Sequence, residues 1–186
     1  MRARLMDATI ECLVERGFGG TSTTLVSELA GVSRGAQLHH FPTKNDLVVA
    51  AVEHLTEVRG AELASAAAAV PQGPQRTRDV LRMLGDHFAS PVFIAALELW
   101  VAARTDAALQ AAVAPLELRI GRETHRMTVD LLGADESKAG VRELVQATLD
   151  LVRGLGLAAT ISDDTRRRNR ILDQWASTLD DALAAA

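Results

Sequence analysis

The chain has 186 residues, 48% of them hydrophobic and only 3% aromatic, with no Tyr, a single Cys and a formal net charge of -4. That is core material for one compact body or for a small domain fused to a medium one, and the scarcity of aromatic and β-branched runs works against a sheet, so the expected fold class is all-α. The lone Cys12 excludes an intrachain disulfide. With neither a secretory h-region nor an apolar run of membrane-spanning length, a soluble cytoplasmic protein with no membrane contact is expected.

In chain order, the spacing predicts a first helix over Arg2 to Gly17, with Met6, Ile10, Leu13 and Val14 on one stripe. Arg2 and Arg4 at its start read either as solvated terminal charge or as an arm touching a phosphate or the minor groove. Cys12 reads as a small buried side chain, because no second cysteine exists to resolve an oxidised thiol. A short second helix opens at Thr21 or Ser22, whose hydroxyls can cap free backbone N–H groups, and presents Leu25, Val26 and Leu29 on one side. Gly31 can take the positive φ that ends it, Val32 can pack back inward, and Ser33 can cap a third helix from Arg34 to Phe41. Two short helices joined in this way form a helix-turn-helix, in which the second enters a major groove while the first crosses the DNA backbone.

After Pro42, Thr43 and Asp46 have the spacing of a capping box for a long helix, along which Leu47, Val48, Ala51, Leu55 and Val58 recur toward Val70. The segment Pro71-Gln-Gly-Pro74 ends it. A helix from about Gln75 to Ala89 places Val80, Leu81, Leu84 and Phe88 inward, and another begins at Pro91 with Phe93, Ala96, Leu97, Trp100 and Val101 on a broad apolar face. A turn at Arg104 to Asp106 leads into a long helix carrying Leu109, Val113, Leu116, Ile120, Met127 and Leu131, closed by Gly133. Pro115 either bends this helix or marks its true beginning. Two amphipathic helices complete the chain, one lined by Val141, Leu144, Val145, Thr148, Val152 and Leu155, the other by Ile171, Leu172, Trp175, Leu179 and Leu183, with a break at Ser162 to Asp164. Such a hairpin can supply half of a four-helix bundle, with a second copy supplying the rest.

The net acidity lies outside the first third of the chain. Residues 1–50 carry five Lys or Arg against five Asp or Glu, and the remainder carries fifteen against nineteen. A neutral head can still bind DNA when its cations share a face, since the electrostatic gain depends on local phosphate neutralisation. Arg34 and Gln37 lie three apart near the start of the third helix, with donors suited to guanine and adenine edges, although Arg can equally hold a phosphate. Gly35 and Ala36 keep that surface shallow. His39 reads as a groove contact or a plain surface residue, and His40 as a phosphate contact or a brace of the helix junction. Adjacent histidines point about 100° apart on a helix and no other ligand stands at metal spacing beside them, so neither a metal nor another cofactor is expected.

The pattern G-F-x-x-T-S, then E-L-A-G-V-S-R-G, then H-H-F-P-T-K-x-x-L, over about Leu5 to Val52, resembles the N-terminal DNA-binding domain of the TetR family of bacterial transcriptional regulators. The resemblance implies a three-helix helix-turn-helix domain over residues 1–50 and a helical effector-binding and dimerisation domain over 51–186. It implies a homodimeric, sequence-specific regulator, most simply a repressor on double-stranded inverted-repeat operator DNA, with Thr24, Ser33, Arg34, Ala36, Gln37, His39, His40 and Lys44 toward the DNA. Leu38 stands where the family commonly has Tyr, and Leu25 where it has an acidic or polar residue.

For a small-molecule effector, an apolar lining from Leu55, Leu97, Trp100, Met127 and Val152 would favour a hydrophobic or amphipathic compound, although each can equally be core. Glu98, Arg104, Arg122, His125 and Arg126 are polar candidates that can equally form a solvated face. The expected dimer interface is Val145, Thr148, Val152, Leu172, Trp175 and Leu179, and Leu151 to Leu157 resembles the family's penultimate helix. The run Arg166, Arg167, Arg168 and Arg170 reads as local salt linkage or as a second DNA site. No nucleophile elbow, phosphate loop, zinc motif or dinucleotide fingerprint points to an enzyme. A helical protein-interaction adaptor would explain the bundle but leave Arg34, Gln37, His39 and Lys44 without a purpose.

Overall fold

The computed structural model describes residues 1–186, apart from the side chains of Val58, Arg59, Glu62 and Val92. The apolar stripe expected through Val58 therefore lies, at that position, outside the described residues. In order the helices are α1 (Arg2–Gly20), α2 (Thr23–Ala30), α3 (Arg34–His40), α4 (Lys44–Ala69), α5 (Arg76–Phe88), α6 (Pro91–Ala103), α7 (Ala107–Leu132), α8 (Val141–Ala159) and α9 (Thr165–Ala185). Among the described residues no single helix is long and apolar enough to cross a membrane. The chain packs as two units, residues 1–60 with 91–119, and residues 61–90 with 120–186.

In the first unit, α1 buries Leu5, Met6, Ala8, Thr9, Cys12 and Leu13. Its regular helical geometry ends at Gly17, as expected. Gly17 takes φ 65° and ψ 177°, kinking the helix, and a further turn runs to Gly20. Burial pushes the Cys12 thiol pKa up, which keeps it protonated and unreactive. The Ser22 hydroxyl accepts from the Leu25 N–H at 3.2 Å, and Gly31 ends α2 in the left-handed region at φ 60°. The Val32 N–H then returns to the Ser27 carbonyl at 2.9 Å, so Val32 is tucked under the turn. Ser33 accepts from the Ala36 N–H at 3.3 Å and starts α3. Val26, Ala30, Val32, Phe41, Leu47 and Ala51 meet the inner face of α1 in one cluster. Each large apolar side chain so buried contributes about 1.5–3 kcal/mol, which fixes the angle between α2 and α3.

The expected capping box is present at α4: the Thr43 N–H donates to Asp46 Oδ2 and the Asp46 N–H to Thr43 Oγ1, both at 3.1 Å. Helix α6 is turned relative to expectation. Phe93, Ala95, Leu99 and Ala103 are buried, Leu97 and Trp100 are half-buried, and Val101 is 59% exposed. So apolar a helix has no single preferred stripe by periodicity, and its partner α1 selects the face. Asp106 Oδ1 accepts from the Leu109 N–H at 2.9 Å and caps α7, which runs unbroken through Pro115, so Pro115 is not its beginning.

In the second unit, α5 is the central helix, packed against both α8 and α9. Val80, Leu81, Leu84 and Phe88 face Val145, Leu149, Val152, Leu172 and Leu179 across the buried interior. Two glycines permit the approach: a Cβ on Gly156 would lie 2.2 Å from the Phe88 carbonyl oxygen, and one on Gly85 would lie 2.7 Å from Leu172 Cδ1. The arginine run serves local structure. Arg167 pairs with Asp164 at 2.6 Å, and buried Arg168 pairs with Asp86 at 3.0 Å.

Candidate nucleic-acid interface

Helix α3 sorts the expected DNA-facing residues by face. Arg34, Gly35, Leu38, His39 and His40 are exposed, as are Thr24 on α2 and the cap Ser33, while Ala36 is half-buried against the head core. Gln37 is corrected. It is fully buried, and its Nε2 donates to the Phe41 carbonyl at 2.6 Å, so its amide braces the C-terminal end of α3 instead of meeting a base edge. Gln37 and Phe41 are four apart, on the inward arc that Arg34 avoids. An amide donor can serve a base or an orphan helix carbonyl, and spacing from Arg34 alone does not separate the two. Arg2 sits in the first turn of α1 with its guanidinium 5.4 Å from the Phe41 ring centroid, which gives that cation an internal contact.

Lys44 also has an internal partner. Its Nζ donates to the Phe18 carbonyl at 2.5 Å and stands 3.9 Å from the centroid of the Phe18 ring, and partial burial lowers its pKa. The N–H of the same Phe18 donates to Glu98 Oε2 at 3.0 Å, and a Cβ on Gly17 would lie 2.7 Å from that oxygen. The kinked peptide at the end of α1 is thus held from one side by the first residue of α4 and from the other by α6. Glu98, a polar effector candidate by sequence, is a structural clamp. The glycine before Phe18 was a legible signal for close approach, but nothing in the sequence named a partner eighty residues away.

Leu55, Leu97 and Trp100 are half-buried in the first unit, where Trp100 stands edge-on to Phe93 at 6.0 Å. Val152 is corrected: it is fully buried in the second unit's helical core and lines no open space. Met127 does line a groove in that unit, of about 520 Å³, with Ala64, Ala67, Ala68 and Leu131 as apolar neighbours and Arg126 and Glu123 among the polar ones. Of the remaining polar candidates, Arg104 and Arg122 are exposed, and His125 pairs with Glu136 at 2.7 Å.

The expected dimer face is largely corrected as well. Val145, Thr148, Val152, Leu172 and Leu179 are buried within the single chain, so they are core and not available to a second copy. Trp175 is half-buried, its Nε1 donating to Thr148 Oγ1 at 3.0 Å, and with Leu151 and Ile171 it lines an open groove of about 570 Å³ along α8 and α9.

Residues 5–51, which contain α1 to α3 and the start of α4, match the family model described as bacterial regulatory proteins, tetR family. Over nearly its whole length the chain is also 29% identical to the HTH-type transcriptional regulator BetI of Pseudomonas aeruginosa, covering 98% of this chain and 93% of that one. Residues 5–51 are a TetR-type DNA-binding domain. The chain is likewise 29% identical to the HTH-type transcriptional regulator CymR of Pseudomonas putida, over 91% of its own length and 84% of CymR. Its fold is shared with a Rhodococcus transcriptional regulator, at a TM-score of 0.77, 21% identity and coverage of 98% of this chain and 97% of that one. It is also similar to the multidrug-binding protein EbrR complexed with imidazole, at a TM-score of 0.61, 26% identity and 93% of each chain. It is a DNA-binding transcriptional regulator and not an enzyme.

Proposed function

We propose that the chain acts as a homodimeric repressor that occupies an inverted-repeat operator and is released by a small apolar or amphipathic molecule bound in the domain beyond residue 50. The observation that carries the DNA part is the face of α3: Arg34, Leu38 and His39 are exposed while Gln37 anchors the helix from inside. Exposed Thr24 and Ser33 flank that face as phosphate partners, and the two ammonium hydrogens of Lys44 not spent on Phe18 serve the same end. His40, exposed beside His39 with ring centroids 5.5 Å apart, adds a further donor.

Two helical heads read successive major grooves only when held as a pair. The open groove at Leu151, Ile171 and Trp175, together with half-exposed Leu157 and protruding Ile161, supports pairing of α8 and α9 with their copies on the side that the chain's own core leaves free. The groove at Met127, apolar with a few charged groups, supports the effector reading, as does the small organic molecule bound by the related EbrR. A ligand that shifts the head spacing by 1–3 kcal/mol of coupling would weaken DNA binding about 5- to 150-fold.

Selection of genomic fragments by the purified chain, followed by transcription from a recovered promoter with purified polymerase, tests this reading. Transcript should fall as the chain is added. It should recover with a compound found to stabilise the protein thermally, and operator DNA should weaken that compound's binding by the same factor. Transcript that rises with the chain, or a compound whose affinity ignores the operator, contradicts repression and the switch respectively.

A further inference from the structure

Leu38 occupies the middle of the outward arc of α3 and is 44% exposed. Successive helical residues are about 100° apart, so with Ala36 and Gln37 facing the core, Arg34 and Leu38 form one outward ridge and Gly35 and His39 the next. A leucine there leaves nearly half of its surface in water. Its neighbours on the arc are a cation, a residue with no side chain and an imidazole, so the apolar surface is confined to this one position. Gly35 has open space around its missing Cβ, which lets the helix backbone approach a flat surface closely and brings Leu38 forward.

We infer that Leu38 is a specificity-determining residue that reads the C5-methyl group of a thymine in the major groove. The inference rests on the DNA-binding assignment and deepens it. Base edges in the major groove present hydrogen-bond donors and acceptors, with one apolar exception, the thymine methyl. A branched aliphatic side chain cannot satisfy a donor or acceptor, and placing it against one would strip that group of water without a replacement. Against a methyl it removes apolar surface from water on both sides. Arg34, one turn earlier on the same ridge, reaches a neighbouring base or phosphate, so the ridge pairs a polar contact with an apolar one and selects a thymine at a fixed offset from the Arg34 contact. The exposed Leu29 lies on α2, away from this ridge.

The test uses the full chain and a duplex that it enriches from a randomised pool. Each thymine is replaced in turn by deoxyuridine, which removes the methyl group and leaves every hydrogen-bonding atom in place. One position in each half-site should weaken wild-type binding by about three- to tenfold, the scale of one buried methyl. In Leu38→Ala the parent duplex should bind more weakly, and deoxyuridine at that position should cost nothing further. Leu38→Met, which keeps apolar reach, should retain part of the methyl sensitivity. Circular dichroism and non-specific binding at low salt should be unchanged in both variants. A wild-type chain indifferent to every replacement, or equal penalties in wild type and Leu38→Ala, overturns the inference; so does a change in sedimentation with methyl sensitivity intact, which would place Leu38 against a second copy. Failure to enrich any duplex would instead reject the DNA-binding assignment itself.

Discussion

Gln37 shows how one side chain changes role with burial. On the surface of α3 its amide would be a reader of adenine; buried, with Nε2 on the Phe41 carbonyl, it is the peg that holds the recognition helix to the head. Gln37→Ala should therefore destabilise the fold by about 1–3 kcal/mol, through a buried carbonyl left without its donor and a cavity at the α3 junction. Urea unfolding measures this. Unchanged stability together with relaxed preference at one base pair would return Gln37 to the groove. Phe18 carries a second lesson at this scale, because the backbone of one residue links three helices: its carbonyl accepts from Lys44 and its N–H donates to Glu98. Lys44 was legible as part of the His-Phe-Pro-Thr-Lys ending but not as a partner of Phe18, since a lysine that solvates a phosphate and one that caps a carbonyl have the same pattern in sequence.

At the level of elements, the caps were the most legible features. Ser22, Gly31, Ser33 and the Thr43–Asp46 pair act through neighbours within a few residues, so local chemistry determines them. Faces were less legible. Helix α6 is apolar around much of its circumference, and α8 and α9 carry apolar residues both toward α5 and away from it, so periodicity marked Val145, Val152 and Leu172 without saying which surface they belong to. The α5–α8 crossing gives a sharp prediction. Gly156→Ala would drive a methyl into the Phe88 backbone, which cannot rotate away, and should cost about 1–3 kcal/mol or more. Gly154→Ala, two residues earlier in α8 with open space around it, should instead stabilise by about 0.5–1 kcal/mol through helix propensity. Thermal melts that rank these two variants in the opposite order would contradict the packing described.

His87, near the end of α5, makes the same unit sensitive to acid. Burial lowers its pKa below the ordinary imidazole value, so as pH falls the unfolded chain takes up a proton before the folded chain does. The stabilisation is complete above the ordinary value of about 6.5 and declines below it until the folded-state pKa is passed. The melting temperature of the wild-type chain should consequently fall more between about pH 7.5 and 5.5 than that of His87→Gln. Parallel curves for the two proteins would show that His87 is not the group responsible.

For the whole molecule, the uneven charge matters more than the total of -4, because phosphate neutralisation is the task of the head alone. The helix-turn-helix and its family were legible from residues 5–51, where capping, turn geometry and core pattern agree. The grooves proposed for effector binding and for pairing were not, since both are lined largely by apolar residues indistinguishable by composition from core. The central claim is that two copies of the chain present α3 to successive major grooves of one duplex, and footprinting of the chain on a selected DNA fragment tests it most directly. Two equally protected half-sites related by a dyad, with centres separated by a whole number of helical turns, is the predicted result; a single asymmetric tract, or protection that does not repeat, would contradict it.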